Sequence, residues 1–244
     1  MKKNFMKKPM TLLAVAAVLL VGSTVGSTQA ALVYYSENYS AEVTVSNIGI
    51  SLVENEEVIN YRNYIDDGKW DKKTDSAILM EDMIKEGEKL VPGKVYDEEL
   101  KVANSGAIDS YIRVILSKYW VDPEGNRTTD ADPAYIQLTP GSSKWLKDAD
   151  ASNEEREIYY YSEVVAVEET TEALITKLTI DPKVAKELIQ TTNGNNIITY
   201  EYKYDGYTFV VEAEAQAVQT HNAEDAIKSA WGVDVTITDG SLSI

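Results

Sequence analysis

The sequence predicts an all-β fold, a jelly-roll-like β-sandwich with two or three short helices. Three observations carry that prediction. Runs such as "YIRVIL", "EALITKLTI" and "FVVEAEAQAVQ" alternate apolar and polar residues at the period of a strand. Turn signals punctuate them at Pro92-Gly93, Asn104-Ser105-Gly106, Pro140-Gly141 and Asp205-Gly206. The chain has 244 residues and no cysteine, so a buried core and not a disulfide framework must hold the domain.

The first element lies outside that fold. Lys2, Lys3, Lys7 and Lys8 precede the uncharged apolar run "LLAVAAVLLV", Leu12 to Val21. Small and polar residues follow, with Thr28 and Ala30 at the positions a signal peptidase reads. The run is ten residues, and a membrane-spanning helix needs about 20. Residues 1–30 therefore read as a secretory signal peptide cleaved between Ala30 and Ala31. Residues 31–244 read as one domain with no stable membrane anchor after cleavage.

"AEVTVSNIGISLV", Ala41 to Val53, alternates around Val43, Val45, Ile48, Ile50 and Leu52, with a bend at Asn47 or Gly49. The stretch from Tyr61 to Gly87 begins polar and loop-like, and "SAILMEDMIKEG" then spaces apolar residues as a short helix would. "LVPGKVYDEELKVANSGAIDSYIRVILSKYW" reads as strand, turn and strand, a hairpin. Its second strand is apolar on both faces, as a strand deep inside a sandwich would be. Asp122 to Asp132 is a loop, and "YIQLT", "REIYYYSEVVAV" and "EALITKLTI" supply further strands. "DPKVAKELIQ" has Asp181 at a cap position and Pro182 at the first helical position, which predicts a helix. Ile197 to Gln219 predicts a hairpin closed by Asp205-Gly206. A short helix over Asn222 to Gly232 and a final strand complete the chain.

Charge narrows the partners. The net charge is −17, and loss of the leader removes four lysines and no acid. Such a surface repels nucleic acid and anionic membranes and attracts cations. Self-association would need screening by salt, acid or divalent cations.

Catalytic signatures are sparse. The single histidine, His221, sits in a strand-to-helix turn, and the mature chain has no GxSxG elbow. One histidine and no cysteine leave no typical zinc set. "DPEGNRTTDAD" offers Asp122, Glu124, Asn126, Asp130 and Asp132 as hard oxygen ligands for calcium, but their spacing is not that of an EF-hand loop, and a solvated acidic loop is the simpler reading. Sixteen tyrosines and four tryptophans could build a carbohydrate platform or serve as half-buried sheet residues.

Three stretches together resemble the TasA/camelysin-like family of exported proteins. They are the leader running into "STQAALVYYSEN", the segment "LVPGKVYDEELKVANSGAIDSYIRVIL", and "YYYSEVVAVEETTEALITKLTI" followed by "FVVEAEAQAVQTHNAEDAIKSAWG". The resemblance implies a jelly-roll-like sandwich, export through a SipW-type signal peptidase, and self-assembly into extracellular fibres of the biofilm matrix. It also implies donor-strand insertion, in which the N-terminal segment of one subunit joins the next. The candidate donor is "ALVYYSENY", Ala31 to Tyr39, with Leu32, Val33, Tyr34 and Tyr35 at its apolar centre. The alternative is that this segment is the first strand of its own sheet. The candidate acceptor is the strand face carrying Ala213, Ala215 and Ala217, whose small side chains would leave room for larger ones. Camelysin-like members are classed as cell-surface metalloendopeptidases, and a surface module binding carbohydrate or protein is a third reading.

Sequencing the N-terminus of protein exported by its native host tests the leader. The expected first residue is Ala31; retention of Lys2 to Lys8 would show an uncleaved anchor.

Overall fold

The computed structural model describes residues 47–65, 69–80, 90–192 and 198–244. All of them fall in one compact unit, Ser46–Ile244. The cleavage site Ala30–Ala31, the donor candidates Leu32, Val33, Tyr34 and Tyr35, and the start of the first predicted strand lie outside the described residues.

The described residues form the expected all-β sandwich. One sheet contains, in order of pairing, β3 (Lys69–Lys72), β2 (Glu57–Ile65), β1 (Gly49–Glu54), β5 (Val95–Ala103), β11 (Ile175–Ile180) and β8 (Ile136–Pro140). The other contains β4 (Ala77–Ile78), β14 (Thr208–Gln219), β6 (Ser110–Val121), β10 (Arg156–Tyr161) and β9 (Trp145–Lys147), with β7 (Arg127–Thr128) on the end of β6. Their inward faces enclose a core that includes Leu52, Leu100, Val102, Ile112, Val114, Leu116, Trp120 and Leu178. Two short ribbons stand beside the sheets, β12 (Leu188–Thr192) with β13 (Ile198–Tyr202) and β15 (Thr236–Thr238) with β16 (Ser241–Ser243).

β6 has two apolar faces because it has two cores. Ile112, Val114, Leu116 and Trp120 point into the sandwich. Tyr111 and Ile115 join Ile158, Tyr160, Val218, Ile227 and Leu242 in a second cluster on the outer side. The helix α1 (Ala223–Trp231) contributes Ala223 and Ile227 to that cluster. It ends where the sequence predicts, at Gly232, whose φ of +73° suits a residue without a β-carbon and whose N–H donates to Lys228 O.

Several local predictions are corrected. β5 and β6 do not form a hairpin; they lie in opposite sheets, and the turn between them crosses the sandwich. Asn104, 1 % exposed, holds that crossing. Its Nδ2 donates to Ile108 O at 2.8 Å and Val165 O at 2.9 Å, and its Oδ1 accepts Gly106 N–H at 3.0 Å. Gly49 and Gly106 pass backbone to backbone here, and neither has room for a side chain: a β-carbon on Gly49 would lie 2.6 Å from Gly106 N, and one on Gly106 would meet Gly49 N and Asn47 O.

The predicted hairpin over Ile197 to Gln219 is also absent. β14 pairs along its whole length with β6, from Thr208 opposite Val121 to Gln219 opposite Ser110, while β13 pairs with β12. Asp181 does cap, accepting Lys183 N–H at 2.8 Å, but the helix expected over Asp181 to Gln190 is only a 3-10 turn, Pro182–Ala185. Leu188 to Thr192 then takes strand form because Ile198 to Tyr202 supplies a partner. The loop expected after Tyr61 contains the end of β2 and all of the polar edge strand β3, with Tyr64 packed against Trp70 at 5.2 Å. Ala77–Ile78, inside the helix predicted from Ser76, is the short strand β4; residues 81–89 of that prediction lie outside the described residues. Among the described residues there is one α-helix, and no helix is long and apolar enough to cross a membrane.

Replacing Asn104 with Ala removes three hydrogen bonds at this crossing, leaving the Gly106 N–H without its acceptor and the Ile108 and Val165 carbonyls with only their bonds from Ser110. The expected loss is about 3 kcal/mol of folding stability, read by urea denaturation; a change below about 1 kcal/mol would show that water replaces the amide.

Candidate functional site: an open sheet edge

The acceptor candidates lie on β14, and its geometry follows from the ladder. The Leu79 N–H donates to Val211 O at 2.8 Å, so the Val211 carbonyl points away from β6 and toward β4. Backbone groups alternate sides along an antiparallel strand, and the β14–β6 register runs without a shift. Ala213, Ala215, Ala217 and Gln219 therefore aim N–H and C=O at the edge opposite β6. β4 covers only the start of this edge, pairing Ala77 with Ala213 and Ile78 with Glu212. From Glu214 to Gln219 no strand pairs with it among the described residues.

The three alanines are not equivalent. They share the inward face, as the sequence predicts. Ala213 is 0 % exposed, set between Leu116 and Ala77, so it leaves no room for an incoming side chain. Ala215 and Ala217 are half-buried. Beside Ala215 a cleft between the sheets is lined by Ile50, Leu52, Asn60, Tyr61, Arg62 and Asp75, with a volume of only about 10 Å³. That is space for about one water. The receiving feature is thus a backbone edge rather than a preformed pocket. Arg62 stacks on Trp70 at 4.7 Å, and its Nε is buried with no hydrogen-bond partner among the described residues.

A second exposed surface lies on the β12–β13 ribbon. In the β12–β13 ribbon, Leu188 lies opposite Tyr202, Gln190 opposite Tyr200, and Thr192 opposite Ile198. Strand periodicity puts all six on one face. Leu188, Ile198, Tyr200 and Tyr202 are each more than half exposed. Alternation around Ile198, Tyr200 and Tyr202 was visible, but the predicted pairing with β14 would have covered it.

The acidic loop does not gather its oxygens. Asp122 Oδ1 accepts Asn126 N–H at 2.8 Å and closes a turn. Asp132 Oδ1 accepts Ala134 N–H at 2.8 Å and caps the 3-10 turn Pro133–Tyr135. Asp130 accepts from Tyr204 Oη at its carbonyl and from Tyr207 Oη at its carboxylate, and Glu124 is exposed. Among the described residues no group of three or more His, Asp or Glu is placed to hold a metal. His221 is exposed in the turn before α1.

One carboxylate pair was missed. Glu98 on β5 is 1 % exposed, and Glu54 at the end of β1 lies within hydrogen-bonding reach of it, both on the wall of a cleft of about 370 Å³. Burial, then the facing Glu54, pushes the Glu98 carboxyl up to about 8. By its period Glu98 shares the face of Tyr96, Leu100 and Val102 on β5; only the pairing of β1 with β5 brings it to Glu54.

No family model matches the chain, and no curated protein or solved structure matches it.

Changing Asp132 to Ala separates capping from metal binding. Loss of the cap costs about 1 kcal/mol, and the same loss is expected with and without millimolar calcium in thermal unfolding. A calcium-dependent rise in Tm that the substitution abolishes would restore the ligand reading.

Proposed function

We propose that this chain is an exported structural protein that assembles with copies of itself into extracellular fibres of the biofilm-matrix kind. In this reading an incoming strand adds to the β14 edge. The carrying observation is that edge itself, where Ala215, Ala217 and Gln219 present backbone groups that no described residue takes up. An added strand gains main-chain hydrogen bonds from such an edge, and its alternate side chains set the register. The occupant is the N-terminal segment Ala31 to Tyr39, apolar and aromatic and without Pro or Gly. Glu37 within it is a carboxylate that can accept from the Arg62 guanidinium. The resemblance of the sequence to TasA/camelysin-like proteins supports the same assignment. So does the exposed apolar face of β12–β13, a surface suited to contacts between molecules.

A surface-binding module is the second reading, and the Tyr200–Tyr202 face is the observation that favours it.

The test uses Ala217→Pro. The Ala217 N–H faces the open edge, so proline removes a donor that an added strand needs and no bond of the β14–β6 ladder. The substituted protein, and a chain starting at Ser40, are expected to keep native circular dichroism and to form at least tenfold less fibre by sedimentation and electron microscopy (a loss of about 1.4 kcal/mol per contact suffices). Fibres from the Ser40 chain equal to those of the intact mature protein would overturn assembly through the N-terminus. Equal fibres from Ala217→Pro would overturn the β14 edge. No polymer from the native protein under any salt or pH, with glycan binding lost on Tyr200→Ala, would establish the binding module instead.

A further inference from the structure

We propose that Glu54 and Glu98 form a proton-sharing latch that holds β4 over the start of the β14 edge and releases it when the shared proton is lost. This rests on the reading of that edge as the assembly site, whose length the latch would regulate.

The pair has the geometry of two acids that do not both ionise while they stay in contact. Glu98 Oε2 accepts from Asn55 Nδ2 at 3.2 Å, while its buried Oε1 has no donor. Glu54 is within hydrogen-bonding reach, and two facing carboxylates each lack a hydrogen, so one proton between them satisfies both. The rest of the surroundings supplies little relief. Glu57 lies directly across from Glu54 on β2, and Glu56 occupies the intervening turn. Lys94, Tyr96 and Asp97 line the cavity from the β5 side, and Lys177 of β11 pairs with Asp97. Lys94 Nζ sits over the Tyr96 ring at 4.7 Å. β4 itself contributes no charge.

The mechanical link is the backbone of Met80. Its N–H donates to Glu54 Oε1 at 2.7 Å. Met80 is 8 % exposed and has φ of +67°, a conformation costly for a residue with a side chain. Next to it, the Leu79 N–H donates to Val211 O, and β4 has only two residues to pair with β14. Glu98 is fixed within β5, whereas Glu54 is half-buried at a strand end. Ionisation of both acids therefore moves Glu54. The Met80 N–H is then left buried without an acceptor, its strained φ loses its support, and β4 comes away. The open edge grows from Ala215 back to Val211.

The elevated Glu98 carboxyl fixes the direction. A folded acid held to about 8, against about 4.3 in an unfolded chain, stabilises the fold fully below the lower value. That contribution fades as pH rises between the two. The latch is shut in acid and opens through mild alkali.

An NMR titration of the protein from pH 5 to 9.5, under conditions where sedimentation shows a monomer, reads the latch directly. The Glu98 Cδ shift is expected to titrate near 8, with the Leu79 and Met80 amides moving at the same midpoint and exchanging about tenfold faster, after correction for intrinsic rates, one unit above it. Glu98→Gln keeps a donor toward Glu54 and removes the charge. Its Leu79 and Met80 amides should show no such transition; Glu54→Gln serves if that variant does not fold. Native amides without the transition, or a variant with the same transition, would overturn the latch. Assembly is followed in parallel at 0.5 M salt, where net-charge repulsion is screened. A native rise in assembly through pH 8 that is absent in Glu98→Gln ties the latch to the edge. If the amides titrate as expected and assembly ignores pH, the latch stands and the edge is not the assembly site.

Discussion

The uninterrupted ladder between β6 and β14 is the constraint on which the other features depend. It runs the full length of both strands with one register, and a one-residue slip would exchange the two faces of β14. The register places Ala213, Ala215 and Ala217 toward the sandwich core and Val218 toward the outer cluster under α1. It also decides which backbone groups point to β6 and which point out. Which backbone groups face the open edge is therefore a consequence of core packing.

Small side chains and a short covering strand make this edge unusual for a buried-faced strand. Natural sheets protect edges with charge, proline, bulges or a covering element. β3, at the far end of the other sheet, follows that practice, with Lys69, Asp71 and Lys72 on an exposed strand. β14 has no proline and no register shift, and among the described residues β4 covers it only at Glu212 and Ala213. The contrast between two edges of one molecule is what gives the β14 edge its functional reading. The buried Glu54–Glu98 pair adds a control at the point where coverage stops.

Much of this was legible in the sequence. Strand alternation located β5, β6, β8, β10, β11 and β14, and the Asp181 cap and Gly232 stop were both readable as local chemistry. Partners were not legible. Asn104-Ser105-Gly106 looks like a hairpin turn, but the buried Asn104 side chain bonds to Val165, far away in sequence, and sends β6 to the other sheet. Leu188 to Gln190 ends the predicted helix, and the presence of Ile198 to Tyr202 as a partner draws it into a strand that continues to Thr192. For the site, the shared face of the three alanines was visible as a period of two. The difference between buried Ala213 and the half-buried Ala215 and Ala217 was not, because it is set by β4, a two-residue strand within a stretch that reads as helix. The Glu98 pairing was hidden because its partner, Glu54, comes from another strand, β1.

The claim at the centre of this account is that the β14 edge is open in the subunit and closed in the assembly. Residue-resolved amide exchange on the soluble protein and on its fibres, carried out at pH 6, measures that directly. The account predicts that Ala215, Ala217 and Gln219 exchange rapidly in the subunit while Glu214 and Gln216, bonded to β6, are protected, and that all five are protected in the fibre. Protection of Ala215 and Ala217 already in the subunit, or their continued rapid exchange in the fibre, would contradict it.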